Sequence, residues 1–127
     1  MTNTANATPH VLVVEDDVLI QMLLDAVFED AGFRVTTASS GPEAMTKIEK
    51  AQVSFDALVT DIRLGPTVSG WDVAWKAREF SPTIPVIYIT GDSELAWQEN
   101  GVPESYLYPK PFKTDELVAK TWDLLQH

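Results

Sequence analysis

Four separated stretches of this sequence carry residue types that do chemistry together: Glu15-Asp16-Asp17, Asp61, Thr90-Gly91 and Lys110-Pro111. Each follows a short apolar run, respectively Val11 to Val14, Ala57 to Thr60, Val86 to Ile89 and Tyr106 to Tyr108. If those runs lie side by side, three or more carboxylates meet at one edge. They repel one another by several kcal/mol at low effective dielectric, so they must either take up protons or share a cation. A hard divalent ion answers this need. Mg²⁺ takes one or two carboxylates, often a carbonyl, and keeps waters that a phosphoryl oxygen can replace. Lys110 adds a mobile positive charge opposite such a metal, and Thr90 offers a hydroxyl donor to a further phosphoryl oxygen. A carboxylate in this company is set up to attack phosphorus and form an aspartyl phosphate, with the cations stabilising the transferring group.

The elements that must position these residues read as alternating strands and helices. Val11-Leu12-Val13-Val14 is too short for a helix and apolar on both faces, as a buried parallel strand is. Asp17 is placed to cap a helix from Val18 to Ala31, with Leu19, Met22, Leu23, Ala26 and Val27 at helical spacing and Gly32 as the stop. Arg34 to Ala38 is the second strand. Ser40-Gly41-Pro42-Glu43 opens the second helix, whose inward face is Ala44, Met45 and Ile48. A third strand at Ala57 to Thr60 runs into a loop from Asp61 to Gly70 and a helix from about Trp71 to Phe80. The fourth strand is Val86 to Ile89, followed by a short helix from Ser93 to Gln98. The fifth strand is Tyr106 to Tyr108, and an amphipathic helix from Thr114 to Leu125 opens on Asp115 and Glu116. Five βα units predict a three-layer α/β/α sandwich with a five-stranded parallel sheet, because parallel strands need crossover connections. Ligands of such open sheets gather beyond the carboxyl ends of the strands, where all four chemical stretches fall.

Composition agrees and excludes several classes. The 127 residues carry 9 Lys+Arg against 19 Asp+Glu, no Cys, and 45% hydrophobic residues, which is one globular domain. With no Cys there is no redox pair and no thiolate nucleophile. A formal charge of −10 repels nucleic-acid phosphates and anionic lipid, so neither is an expected partner. The polar stretch from Met1 to His10 lacks a signal-peptide core, and no later segment approaches the roughly 20 apolar residues of a membrane span, so a cytoplasmic location is expected.

The set Val13-Val14-Glu15-Asp16-Asp17, Val59-Thr60-Asp61-Ile62-Arg63-Leu64, Ile89-Thr90-Gly91 and Lys110-Pro111-Phe112 resembles the receiver domain of two-component response regulators, from about Val11 to Leu125. The resemblance implies the flavodoxin-like strand order 2-1-3-4-5. It implies that Asp61 accepts a phosphoryl group from the phosphohistidine of a histidine kinase or histidine phosphotransfer protein. It further implies that Asp16 binds Mg²⁺ directly, Glu15 directly or through water, and that Asp61 and the backbone carbonyl of Arg63 complete the protein ligands. Thr90 is then the switch hydroxyl, Lys110 pairs with the phosphoryl group, and the backbone N–H groups of Ile62 and Gly91 assist. The Lys110-Pro111 bond is often cis in this family. On this reading residues 1–9 are a flexible N-terminal segment, and residues 10–127 are a receiver domain without an output domain, signalling by phosphorylation-dependent contact with an unknown protein target.

Two departures from the family pattern stand out. The loop after Asp61 is one residue longer, with Gly65-Pro66 where a single Pro is usual. Leu107, three residues before Lys110, occupies a position usually held by an aromatic residue, with Tyr106 and Tyr108 on either side. Three other functions fit these residues less well. A flavodoxin-like FMN carrier needs a phosphate-cradling loop after the first strand, where Glu15-Asp16-Asp17 stands. A phosphatase using Asp61 needs a second carboxylate two residues on, where Arg63 stands. A phosphate-independent pseudo-receiver has no need of Asp16, Asp61, Thr90 and Lys110 together. Asp17 reads as a cap, and Met22, Leu23, Val27, Met45, Leu117 and Leu124 as core. Trp71 and Trp75 share a helical face expected to pack inward, and His10 and His127 have no neighbours at ligand spacing.

Overall fold

The computed structural model describes residues 8–51, 54–91, 97 and 100–126. Its strands are β1 (His10–Val14), β2 (Arg34–Ala38), β3 (Ala57–Asp61), β4 (Val86–Thr90) and β5 (Ser105–Pro109). Its helices are α1 (Val18–Asp30), α2 (Gly41–Lys50), α3 (Gly70–Phe80) and α4 (Thr114–Leu125). The short helix expected at 93–98 falls largely outside the described residues. All strand pairs are parallel, and the sheet order is β2-β1-β3-β4-β5.

Alternation along the strands divides the core into two layers. Leu12, Val14, Leu58, Val86 and Tyr88 face Ala44 and Ile48 of α2 and Val73, Ala74 and Ala77 of α3. Val11, Val13, Val59, Ile87 and Ile89 face Leu24 and Phe28 of α1 and Leu117 of α4. Strands buried on both faces explain the continuous apolar runs of β1, β3 and β4. Helix ends follow local chemistry. Asp17 Oδ1 accepts from the Leu19 and Ile20 N–H groups at 2.9 and 3.1 Å, and Ser40 Oγ accepts from Glu43 N–H at 3.2 Å. Ser69 and Asp72 form a reciprocal capping box at the start of α3. Gly32 ends the turn after α1 at φ 98°, a left-handed conformation that suits glycine.

The expected inward face of α1 is corrected. Met22 and Leu23, read as core, are 62% and 48% exposed, and Leu19 is 77% exposed. The sheet-facing stripe is Leu24 and Phe28, with Ile20 and Val27 partly buried beside them. Because the first turns of α1 are apolar nearly all round, helical spacing alone fits two faces. The two α3 tryptophans also part company. Trp71 packs edge-on against Tyr88 with ring centroids 4.7 Å apart, whereas Trp75 is half exposed and donates its indole N–H to the Asn100 carbonyl at 3.1 Å.

Candidate functional site

Strand register brings the four chemical stretches together. Val14 pairs with Thr60, so Glu15 and Asp61 are the next residues on adjacent strands. Asp61 pairs with Ile89, so Thr90 follows one step on. Thr90 pairs with Pro109, so Lys110 leaves β5 at the same edge. The Lys110 backbone N–H donates to the Thr90 carbonyl at 2.6 Å, and the Lys110-Pro111 bond is cis, as the resemblance implied.

At the centre, Lys110 Nζ lies 3.1 Å from Asp61 Oδ2 and 3.2 Å from Glu15 Oε1. Asp61 is buried, and its Oδ1 accepts from the backbone N–H of Ile62 at 2.7 Å and, at a long 3.4 Å, from that of Arg63. Glu15 is fully buried, and its Oε2 accepts from the Asp17 N–H at 3.0 Å. Its Oε1 feels the charge of Lys110 but lies outside hydrogen-bond geometry, and no described residue donates to it. Burial raises the Glu15 pKa to about 7. The Asp17 N–H opposes the rise, neighbouring Asp61 adds to it, and Lys110 opposes it. Burial pulls the Lys110 ammonium down, yet the carboxylates of Asp61 and Glu15 outweigh it and hold its pKa above the ordinary value.

Carboxylate oxygens of Glu15, buried, Asp16, exposed, and Asp61, buried, all lie within 4.8 Å of one another. Two unit charges 4 to 5 Å apart cost about 3 to 4 kcal/mol at an effective dielectric of about 20, so one lysine does not neutralise the group. An orphaned buried oxygen on Glu15 and an exposed carboxylate on Asp16 fit a hard, oxygen-seeking cation such as Mg²⁺. Asp17 stays outside this group and serves as the α1 cap. Thr90 is buried at the end of β4, and Gly91 is exposed just beyond it.

The model of the response regulator receiver domain matches residues 11–121. The chain belongs to the response regulator receiver domain family. This receiver domain superimposes on a response regulator receiver protein of Sinorhizobium medicae with a TM-score of 0.90 and 36% identity, covering 95% of this chain and 97% of that one. The receiver domain of a sensor histidine kinase of Pseudomonas aeruginosa, solved with a magnesium ion coordinated in the active-site cleft, gives a TM-score of 0.80 at 27% identity, covering 95% and 100%. Among curated relatives, the response regulator SaeR of Staphylococcus epidermidis is 32% identical over 119 residues, which are 91% of this chain and 50% of that protein. The chain thus spans about half the length of the curated relatives it matches.

Two positions near the site were not singled out from sequence. Gly70, the first residue of α3, donates its N–H to the Ile62 carbonyl at 2.8 Å and presses against the Asp61 backbone. Gln21 reaches back from α1 to the turn that carries Glu15 and Asp16. A glycine opening a helix after a long loop is a legible sign of close backbone approach; nothing in sequence marks the glutamine. Leu107 packs on the α2–α3 side of the sheet, while Tyr106 and Tyr108 pack on the α1–α4 side. Neither tyrosine therefore stands in for the usual aromatic.

Proposed function

We propose that this receiver domain takes a phosphoryl group onto Asp61 from the phosphohistidine of a histidine kinase or histidine phosphotransfer protein. The observation that carries the reading is the placement of Lys110 3.1 Å from Asp61 inside a cluster of three carboxylates. Glu15, Asp16, Asp61 and the Arg63 carbonyl are the residues that would hold Mg²⁺. When bound, the ion supplies charge neutralisation to the carboxylates and the transferring group. Asp61 attacks phosphorus, its new P–O bond replaces the donor's P–N bond, and the imidazole leaves. Lys110 stabilises the charge on the phosphoryl oxygens, with the Ile62 and Gly91 N–H groups as further donors. The Thr90 hydroxyl meets a phosphoryl oxygen, and this new contact is what a protein target would read.

A protein donor suits the surface beside Asp61. Val18, Leu19, Met22 and Leu23 are exposed over the first two turns of α1, and Ile20, Leu23, Pro111 and Phe112 line a cleft of about 380 Å³ beside Lys110. Apolar area of this kind, contiguous with a reactive site, is suited to bury against a protein. The formal charge of −10 opposes nucleic acid or an anionic membrane as direct partner, and no helix among the described residues is long and apolar enough to cross a membrane. A cytoplasmic location belongs to the same proposal.

Intact mass after incubation with acetyl phosphate tests the reading. A gain of one phosphoryl group that requires Mg²⁺ and disappears in Asp61→Asn is expected. No gain from either acetyl phosphate or a phosphorylated histidine phosphotransfer protein, with Mg²⁺ binding intact, would replace it with a phosphate-independent interaction module.

A further inference from the structure

The turn that carries Glu15 and Asp16 is held by a residue to which the phosphoacceptor reading gives no part. The Gln21 side-chain amide donates to the Glu15 carbonyl at 2.9 Å, to Ser39 Oγ at 3.1 Å and, as the weaker share of a forked contact, to the Ala38 carbonyl at 3.3 Å. The Glu15 carbonyl belongs to the same planar peptide as the Asp16 N–H, so fixing that oxygen fixes the plane from which Asp16 departs. The next peptide, between Asp16 and Asp17, is fixed as well, because its N–H donates to Glu15 Oε2 at 3.0 Å. Both peptides flanking Asp16 are therefore pinned, one by the Glu15 carboxylate and the other by Gln21.

This tie is not needed to hold the two strand exits together. The Glu15 N–H already donates to the Ala38 carbonyl at 3.0 Å and continues the β1–β2 ladder past Val14. Gln21 itself is set by the first turn of α1, where its backbone N–H bonds the Asp17 carbonyl at 2.9 Å. Asp16 is exposed, and no described residue forms a hydrogen bond with its carboxylate. Its direction is left to the backbone on which it stands. We propose that Gln21 is a positioning residue that aims the Asp16 carboxylate at the cation site by fixing the Glu15–Asp16 peptide. The inference rests on the phosphoacceptor reading and names a further residue of the same site.

The test compares Mg²⁺ affinity by calorimetry with the melting temperature in EDTA, on the full chain. Gln21→Met keeps the length and removes the donor, and is expected to weaken Mg²⁺ binding roughly tenfold, as loss of outer contacts to metal ligands does. Its melting temperature in EDTA should stay near wild type, and the Asp16 amide, which belongs to the peptide that Gln21 holds, should exchange faster in the metal-free protein. Gln21→Glu separates aim from charge. An added negative charge alone would tighten cation binding, whereas a carboxylate facing the Glu15 carbonyl repels it and should weaken binding. Ser39→Ala removes one Gln21 contact without touching the Glu15 carbonyl and should leave affinity unchanged.

Wild-type affinity in Gln21→Met, tighter binding in Gln21→Glu, or a loss in Ser39→Ala as large as in Gln21→Met would each overturn the inference. Failure of both Gln21 variants to fold would do the same, by assigning the residue to the fold. A wild-type chain that binds no Mg²⁺ would remove the phosphoacceptor reading and this inference together, whereas wild-type binding with an unaffected Gln21→Met removes the inference alone.

Discussion

Gly70 packs so closely against Asp61 that a Cβ on it would fall 2.0 Å from the Asp61 carbonyl oxygen and 2.9 Å from its carbonyl carbon. Both contacts are to backbone, which cannot rotate away as a side chain can. Gly70→Ala must push α3 off the end of β3 or shift the peptide that carries Asp61. Overpacking of this kind costs about 3 kcal/mol, and for a domain of this size that is a drop of about 10 °C in melting temperature. Thermal unfolding checks the first part, and the phosphorylation rate of the folded fraction checks the second, which should also fall. A variant as stable and as reactive as wild type would show that the close approach is not required.

Tyr88 gives a prediction at alkaline pH. Its phenol is fully buried on β4, and its oxygen accepts from the Val102 N–H at 3.1 Å. Burial raises its pKa to about 12, against the opposing pull of that N–H and of Arg78. The folded-state value lies above the unfolded value of about 10. Stability from this group is therefore complete below pH 10 and is lost as pH rises from 10 through 12. Tyr88→Phe should cost about 1 to 3 kcal/mol at neutral pH by leaving the Val102 N–H without its acceptor. It should also lose less stability than wild type between pH 10 and 12, as read from urea unfolding across that range. Parallel pH profiles would show that Tyr88 does not set the alkaline limb.

The strands and the carboxylates at their ends were legible because β1, β3 and β4 are buried on both faces, so their sequences are apolar runs that end where the polar site begins. Register then carried Glu15, Asp61, Thr90 and Lys110 to one edge. The inward face of α1 was not legible. Leu19, Met22 and Leu23 match helical spacing as well as Ile20, Leu24 and Phe28 do, and only packing against the sheet chooses between them. The capping box of Ser69 and Asp72 had a readable signature, a serine three residues before an acid, that the length of the preceding loop obscured. The Gln21 contacts and the orphaned Glu15 Oε1 depend on where carbonyls and carboxylates point after folding, which spacing does not encode.

The exposed face of α1 separates two kinds of donor. Leu19 and Met22 are 77% and 62% exposed, so replacing both with Glu should change stability by no more than about 0.5 kcal/mol per site. If a protein donor buries this face, Leu19→Glu with Met22→Glu should slow transfer from a phosphorylated histidine phosphotransfer protein at least tenfold. Phosphorylation by acetyl phosphate, which needs no such contact, should be unchanged. A time course of intact mass with each donor makes the comparison. Equal slowing with both donors would place the effect on the reactive site, and no slowing with either would free α1 of a docking role.

Lys110 stands between two carboxylates and belongs to both, so its removal should affect cation binding and phosphoryl uptake in opposite ways. In Lys110→Ala, Asp61 loses the ammonium at 3.1 Å and Glu15 the one at 3.2 Å, which leaves the three-carboxylate cluster with greater negative potential. Mg²⁺ should therefore bind at least as tightly as in wild type. Phosphoryl transfer should nevertheless slow by roughly a hundredfold, because a preorganised cation aimed at the developing charge is lost. Calorimetry with Mg²⁺ and the rate of mass gain from acetyl phosphate give the two readouts. Weaker Mg²⁺ binding would mean that Lys110 holds the carboxylates in place more than it charges the site. An unchanged rate would reduce Lys110 to a counter-ion for the resting cluster.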